Sequence, residues 1–407
     1  MARGCGTPTN WGFSLDVFAA IDWGGTHHQL AVVDLTGRER CNQRFSHDRA
    51  GLASLLATLD EHGVRALALE RSEGLLVDTL QAHGLTIYPV SPRVSARARE
   101  RYQAAARKSD RFDAFVLADT LRQEGWRWRP LGVPSELLAQ IRAVVRYRRQ
   151  TKESQLVAEA QLTAALEAYH PAVIALFSSV DRDATLAFLQ DYPNPLSAGR
   201  VGEARMAGFC RRIGYSGRVP PEQLVERLRA HLLSASAGSV AGHAYAALGH
   251  AERLASLNTQ LKTCNKHIGQ LFELHPDAEI FASFPATGTV IRAELLAEIG
   301  EDRGRFPEPA VLLAEAGLAP VTLASGKVQR VRIRRACNRR LRAACTSWAY
   351  VLKRIDPTSR QRYLAALDRG QLKHRALRSI GASWTRVLWR CWQDSTPYDP
   401  NRRRTTG

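Results

Sequence analysis

A chain of 407 residues is too long for one ordinary hydrophobic core and predicts at least two folded units. Its formal charge of +18 favours a polyanion over an acidic small molecule as partner, because neutralising phosphates releases counterions. Seven scattered cysteines without a CxxC pair exclude a zinc ribbon and a disulfide framework, and neither a signal-peptide core nor an apolar run of about 18 residues is present.

After a Gly, Thr and Asn rich leader, DVFAAID, HQLAVVD and RCNQRFS read as three strands in hairpin sequence, with a turn at Leu35 to Arg38. A helix from about Ala50 to His62, a strand from Val64 to Glu70, a helix from Gly74 to His83, a strand from Leu85 to Val90 and further helices to about Gln123 follow. Hairpin strands succeeded by βα units predict a mixed sheet covered by helices, over 15–125.

Four carboxylates in this stretch carry chemistry. Asp22 closes one apolar strand and Glu70 another, while Asp110 and Asp113 in KSDRFDA stand three apart at a helix start and share its face. Two divalent metals holding the attacking and leaving oxygens of a phosphodiester need such acidic ligands from separate elements. Each acid has an ordinary reading too, as a turn residue or, for Asp110, a helix cap; it is their order and placement together that favours a metal site. His27 and His28 are adjacent on a strand, so both cannot face one metal, and neither is expected to be essential.

From about 135 to 275 the pattern is helical. Leu138, Ile141 and Val145 mark one face, and Leu254, Leu257, Leu261, Cys264, Ile268 and Leu271 form an a/d seam. Periodicity leaves open whether that seam closes an intramolecular hairpin or joins two protomers. A third unit, 278–398, begins with FPATGTVIRAELLAEIG, whose Pro285 and Gly288 suggest a helix-hairpin-helix turn with amides for phosphate. The loop GLAPVTLASGK and a basic stretch follow. From Val321 onwards 21 Lys and Arg face four acids, which places +17 of the net charge there and makes this the expected nucleic-acid surface. Trp384, Trp389 and Trp392 stand at helical spacings that favour packing over base stacking.

These segments, AAIDWGGTHHQLAVVD, ALALERSEGLLVDTL, KSDRFDA, FPATGTVIRAELLAEIG, ASGK and the tail HRALRSIGASWTRVLWRCWQDSTPYD, give the chain a resemblance to the DEDD transposases of bacterial insertion sequences, understood as bridge-RNA-guided serine recombinases. The resemblance spans nearly the whole chain, from about Val17 to Asp399. One departure is Ser91 before Pro92, where the family usually has Asn.

The resemblance implies an RNase H-like (RuvC-like) α/β domain, a helical coiled-coil linker and a mainly α transposase domain. It implies Asp22, Glu70, Asp110 and Asp113 as ligands of Mg²⁺, with Mn²⁺ as the alternative, and Ser325 as the nucleophile joining donor and target DNA through a serine–DNA intermediate. A structured guide RNA, a dimer or a dimer of dimers, and a bacterial, cytoplasmic, nucleoid-associated protein without a membrane are implied with it. Lys108, Lys327, Arg330, Arg332, Arg334, Arg335, Arg339 and Arg340 are the expected phosphate contacts. Taken without the resemblance, Ser325 is a turn serine, and Thr322, Thr346 and Ser347 are competing hydroxyls. A RuvC-like junction nuclease and a non-catalytic nucleic-acid-binding protein are the two alternative functions.

Overall fold

The computed structural model describes residues 16–102, 109–325 and 328–401, apart from the side chains of 323–325 and 328–330. The chain divides into two compact units at the junction of Val133 and Pro134.

The first unit holds β1 (Val17–Trp23), β2 (His27–Asp34), β3 (Glu39–Ser46), α1 (Arg49–Glu61), β4 (Ala66–Leu69), α2 (Leu75–Ala82), β5 (Thr86–Pro89), α3 (Pro92–Tyr102) and α4 (Asp110–Glu124). The strands make one mixed sheet in the order β3-β2-β1-β4-β5. β1 pairs antiparallel with β2 and parallel with β4, and β4 pairs parallel with β5. The β2–β3 hairpin turns at Gly37, whose φ of 86° suits glycine.

Side chains alternate across a strand, and both faces of β1 are buried, which accounts for its continuous apolar run. Ala19 and Ile21 pack with Leu55, Leu59, Leu76 and Leu80 of α1 and α2. Phe18 and Ala20 pack with Ala114, Leu117 and Leu121 of α4. Continuing that parity, Asp22 lies on the α4 side of the sheet. Glu70, two residues beyond the α4-facing Ala68, follows the same parity from β4.

The second unit begins with α5 (Glu136–Tyr169), followed by five short helices: α6 (Ala172–Leu176), α7 (Asp183–Asp191), α8 (Pro195–Gly199), α9 (Glu203–Arg212) and α10 (Pro221–Ala230). The long α11 (Ala237–Glu273) then runs back along α5. Hydrogen bonds from Arg148 to Asn265 and from Gln155 to Asn258 show the two helices to be antiparallel. The a/d seam of Leu254 to Leu271 is buried, and within this chain α11 closes a helical hairpin with α5. One end of that hairpin shares a core with α6 to α10.

The other end shares a second core with α12 (Ala278–Ala282), α13 (Thr289–Ile299), α14 (Pro309–Glu315), α15 (Arg339–Ile355) and α17 (Lys373–Gln393). The loop and basic stretch expected between α14 and α15 contain a two-stranded ribbon instead: β6 (Pro320–Ser325) pairs antiparallel with β7 (Val328–Ile333). Its alternation, Arg330 and Arg332 against Val331 and Ile333, was masked in sequence by the density of arginine. α16 (Pro357–Asp368) packs between α15 and α17 in chain order and contacts both. Among the described residues, no helix is long and apolar enough to cross a membrane.

Candidate functional site

Strand pairing brings the first two acids together. Ile21 sits opposite Leu69 in the parallel β1–β4 pair, so the residues that follow, Asp22 and Glu70, emerge at the same edge and on the same face. α4 supplies the other two. Ser109 caps that helix, accepting from the Phe112 amide at 3.3 Å, and Asp110 is its first residue rather than its cap. There its charge is favoured by the helix dipole. Asp113, one turn on, is buried.

Electrostatics reports how close the four stand. Asp22 is pushed up to about 6 by burial and by the charges of Asp113, Glu70 and Asp110, against a smaller opposing pull from Arg99. Asp22 and Asp110 also line a cavity of about 60 Å³, with Gln29 and Arg44 at its wall.

Helix α3 braces the acids, and this is what sequence reasoning missed. The buried Ser95 hydroxyl donates to Glu70 Oε1, and Arg99, one turn further, donates to Asp113 Oδ2 at 3.1 Å. Tyr102 then donates to Asp119, and its own hydroxyl is pushed up to about 12 by burial and that carboxylate. Ser95, Arg99 and Tyr102 at spacings of four and three are one stripe of a helix. That polar stripe within VSARARERY was the available signal.

Among the described residues, no three His, Cys, Asp or Glu side chains are drawn into a ready cation cage. Like charges repel, and Glu70 and Asp113 have each taken a protein partner instead. The donor set nonetheless suits a hard divalent ion: it is all oxygen, and Asp113 Oδ1 is buried without a hydrogen-bond partner. The two histidines separate as strand geometry requires. His28 is buried, with its Nε2 2.7 Å from His47 Nδ1, whereas His27 is exposed beside Thr26. Burial and its histidine neighbours hold His28 down at about 4, a neutral packing residue at physiological pH.

The remaining candidates lie elsewhere. Ser325 is the last residue of β6, in the second unit, and its side chain is outside the described residues, as is that of Arg330. Lys108 and Lys327 fall wholly outside them. Of the competing hydroxyls, Thr346 is spent on the Arg342 carbonyl at 2.7 Å, while Thr322 and Ser347 are exposed. Arg332, Arg335 and Arg339 are exposed, and among the described residues no carboxylate pairs with them. Arg334 is half-buried, and its Nε has no hydrogen-bond partner.

Arg340 is different: its Nε lies 3.0 Å from the buried Glu298 carboxylate, which also takes the Asn338 amide at 2.7 Å. It fastens α15 to α13, a structural role beside the expected phosphate contact, because a buried carboxylate needs a cation. The Pro285 turn is likewise tied inward, its carbonyl accepting from Trp348 Nε1 at 3.0 Å. Trp384 and Trp392 are buried, and Trp389 Nε1 donates to the Phe306 carbonyl at 2.7 Å, so all three pack rather than stack on bases.

Comparisons with known proteins place the chain among transposases. A DEDD transposase model of the IS110 type matches residues 19–171, and a transposase model of the IS116/IS110/IS902 family matches residues 278–364. The chain is 33% identical to the IS117 mini-circle protein of Streptomyces coelicolor over 96% of its own length and 97% of that protein. It is 28% identical to a 42 kDa protein of insertion element IS900 from Mycobacterium paratuberculosis, covering 94% and 97% of the two chains. A 44.8 kDa protein of IS116 from Streptomyces clavuligerus is 27% identical over 94% and 96%.

Proposed function

The chain belongs to the DEDD transposase family of IS110-type insertion elements, and from that premise we propose that it is a site-specific recombinase joining donor and target DNA through Ser325. Membership supports DNA cleavage and rejoining in general, and suggests dependence on a divalent metal. The metal-site part of this reading is supported chiefly by one observation: Asp22 and Glu70 leave the paired strands β1 and β4 at the same edge, and Asp22 lies in the combined field of Glu70, Asp110 and Asp113. Asp22, Glu70, Asp110 and Asp113 would hold Mg²⁺ or Mn²⁺. Such an ion supplies charge neutralisation at a phosphate and an acidified oxygen ligand.

The protein's own groups do the rest. Ser325 Oγ attacks the scissile phosphorus, its proton passing to solvent or a nearby base, while the P–O bond to the deoxyribose breaks and that oxygen leaves as a hydroxyl. The hydroxyl of the exchanged strand then attacks the seryl phosphate, releasing the serine and resealing DNA. Arg332, Arg335 and Arg339 lie close in sequence to Ser325 and present unneutralised charge for phosphates. The N-terminal domain (15–125), helical linker (135–275) and transposase domain (278–398) divide this labour. Sequence choice is delegated to pairing with a structured guide RNA, and the working form is a dimer or a dimer of dimers.

The test is a trapping assay with Mg²⁺, element RNA and labelled donor and target DNA, analysed under denaturing conditions. A labelled protein–DNA adduct that disappears in Ser325→Ala and in Asp110→Ala, with DNA binding retained, is the expected result. Cleavage without an adduct, undiminished in Ser325→Ala, would replace this reading with a metal-dependent junction nuclease. Salt-sensitive binding indifferent to metal and to Asp22→Ala, without cleavage, would replace it with a non-catalytic binding protein.

A further inference from the structure

α16 and α17 enclose a groove of about 360 Å³ that none of the chemistry above uses. Its floor is buried and apolar: Ala366, Ala376, Ile380 and the Trp384 ring. Small residues recur on the α17 wall, with Ala376, Ser379 and Ser383 at spacings of three and four, and this leaves the space open. At the rim stand Arg362, on α16 and donating to Ser383 Oγ at 3.4 Å, and Arg369, just past the end of that helix, both exposed. Among the described residues, no carboxylate lines the groove.

We propose that this groove receives one unpaired nucleotide of the nucleic-acid partner, its base on the apolar floor and its phosphate between Arg362 and Arg369. Three features select that ligand. The volume lies at the lower end of the roughly 300–1,000 Å³ range of small-ligand pockets, more than a phosphate alone fills. The floor is apolar, as a base face requires, while Ser379, Ser383 and Gln371 offer hydroxyl and amide groups to a base edge. Two cations without a lining acid match a phosphodiester and repel a cationic ligand. The Ser359 hydroxyl oxygen already accepts from Trp384 Nε1 at 3.0 Å, which holds the indole as a fixed part of the floor. A base within a duplex stays stacked and cannot enter, so the groove distinguishes an extruded or unpaired nucleotide from a paired one.

The inference rests on the reading of the second unit as a nucleic-acid-binding region, and the experiment separates the two. Full-length protein is bound to a fully paired duplex and to the same duplex with one unpaired nucleotide. Oligonucleotides carrying 5-iodouracil at the unpaired position, as DNA and as RNA, are then crosslinked by light. The adduct should map between Ser359 and Trp384, and the stronger DNA or RNA adduct identifies the source of the nucleotide. Ser383→Phe, which fills the groove, should remove the adduct and lower the preference for the unpaired substrate about tenfold, in the range of one lost base stack, with paired-duplex affinity unchanged. The surface pair Arg362→Ala with Arg369→Ala should weaken the same preference without touching the floor. Adducts mapping elsewhere, or an undiminished preference in both variants, overturn the groove alone; failure to bind any nucleic acid overturns the functional reading as well.

Discussion

The acidic site of the first unit and the basic end of the second are built by opposite rules. Each acid of the first unit sits at an element end set by sheet register or helix capping, and two of them are held by α3 through Ser95 and Arg99. Among the arginines that follow β7, Arg335 and Arg339 are exposed with no carboxylate partner among the described residues, whereas Arg340 lies on a buried glutamate. Position is controlled where charge must be concentrated, and left loose where charge has only to meet a flexible polyanion. Burial decides which regime a residue belongs to, because a buried charge costs several kcal/mol unless it is paired.

Glu298 breaks the comparison most severely. Its carboxylate is 4% exposed and serves Arg340, Asn338 and Arg146, the last at 3.6 Å. Glu298→Ala should destabilise the protein by about 3–5 kcal/mol, the range for removing one partner of a buried pair, read from denaturant midpoints. A loss below about 1 kcal/mol would show the arginines around α13 to be solvated and the two regions to be alike.

Arg99 is the next largest lever. Arg99→Ala leaves the buried Asp113 with neither of its oxygens partnered, at a cost of about 2 kcal/mol without metal. Freed from its guanidinium, the site should gain more stability from Mg²⁺ than the parent protein does, since binding to the native state alone stabilises it. Thermal midpoints across a Mg²⁺ series check this, and an unchanged Mg²⁺ response would mean that Arg99 does not compete with a cation.

The contrast also explains what could be read in the sequence. Strand and helix ends in the first unit were legible because apolar runs stop where Asp22 and Glu70 begin, and KSDRFDA carries its own cap. The α11 seam was legible as periodicity, but its partner was not, since a heptad pattern does not encode which helix covers it. The β6–β7 ribbon was missed because its alternation is arginine against valine and isoleucine, which dilutes the apolar signal. The Arg340–Glu298 pair was hidden for a related reason: charge counts do not distinguish an arginine facing water from one facing Glu298, forty-two residues away in the chain. The polar stripe of α3 was visible in its spacing, but what it braces was not, because the contact from Ser95 to Glu70 is tertiary.

A smaller effect follows from Asp22. Its folded-state value, about 6, is raised above the ordinary 3.8, so the folded protein binds the proton more tightly than the unfolded chain. Ionising Asp22 therefore costs stability above pH 6, and the cost fades as pH falls from about 6 to 4. Because the group is only half-buried, screening reduces the nominal shift to about 1 kcal/mol. Asp22→Asn should accordingly raise the metal-free thermal midpoint at pH 8, with no difference from the parent at pH 4. Added Mg²⁺ should reverse the order at pH 8, because the substituted amide carries no charge for the cation.

The smallest expected effect on stability sharpens the comparison most directly. Arg339 and Arg340 are neighbours on the first turn of α15, one exposed and one on Glu298. Arg339→Ala should change stability by less than about 0.5 kcal/mol, as surface substitutions usually do. It should weaken nucleic-acid binding and reduce the salt dependence of the affinity by about one phosphate contact. Arg340→Ala should do the reverse, destabilising the fold with a salt slope close to that of the parent. Measured side by side by denaturation and by salt titration of DNA binding, the pair assigns each guanidinium to the interior or to the polyanion. Equal salt slopes in the two variants would mean that Arg340 reaches phosphate despite its glutamate, and that burial at this turn does not partition the roles.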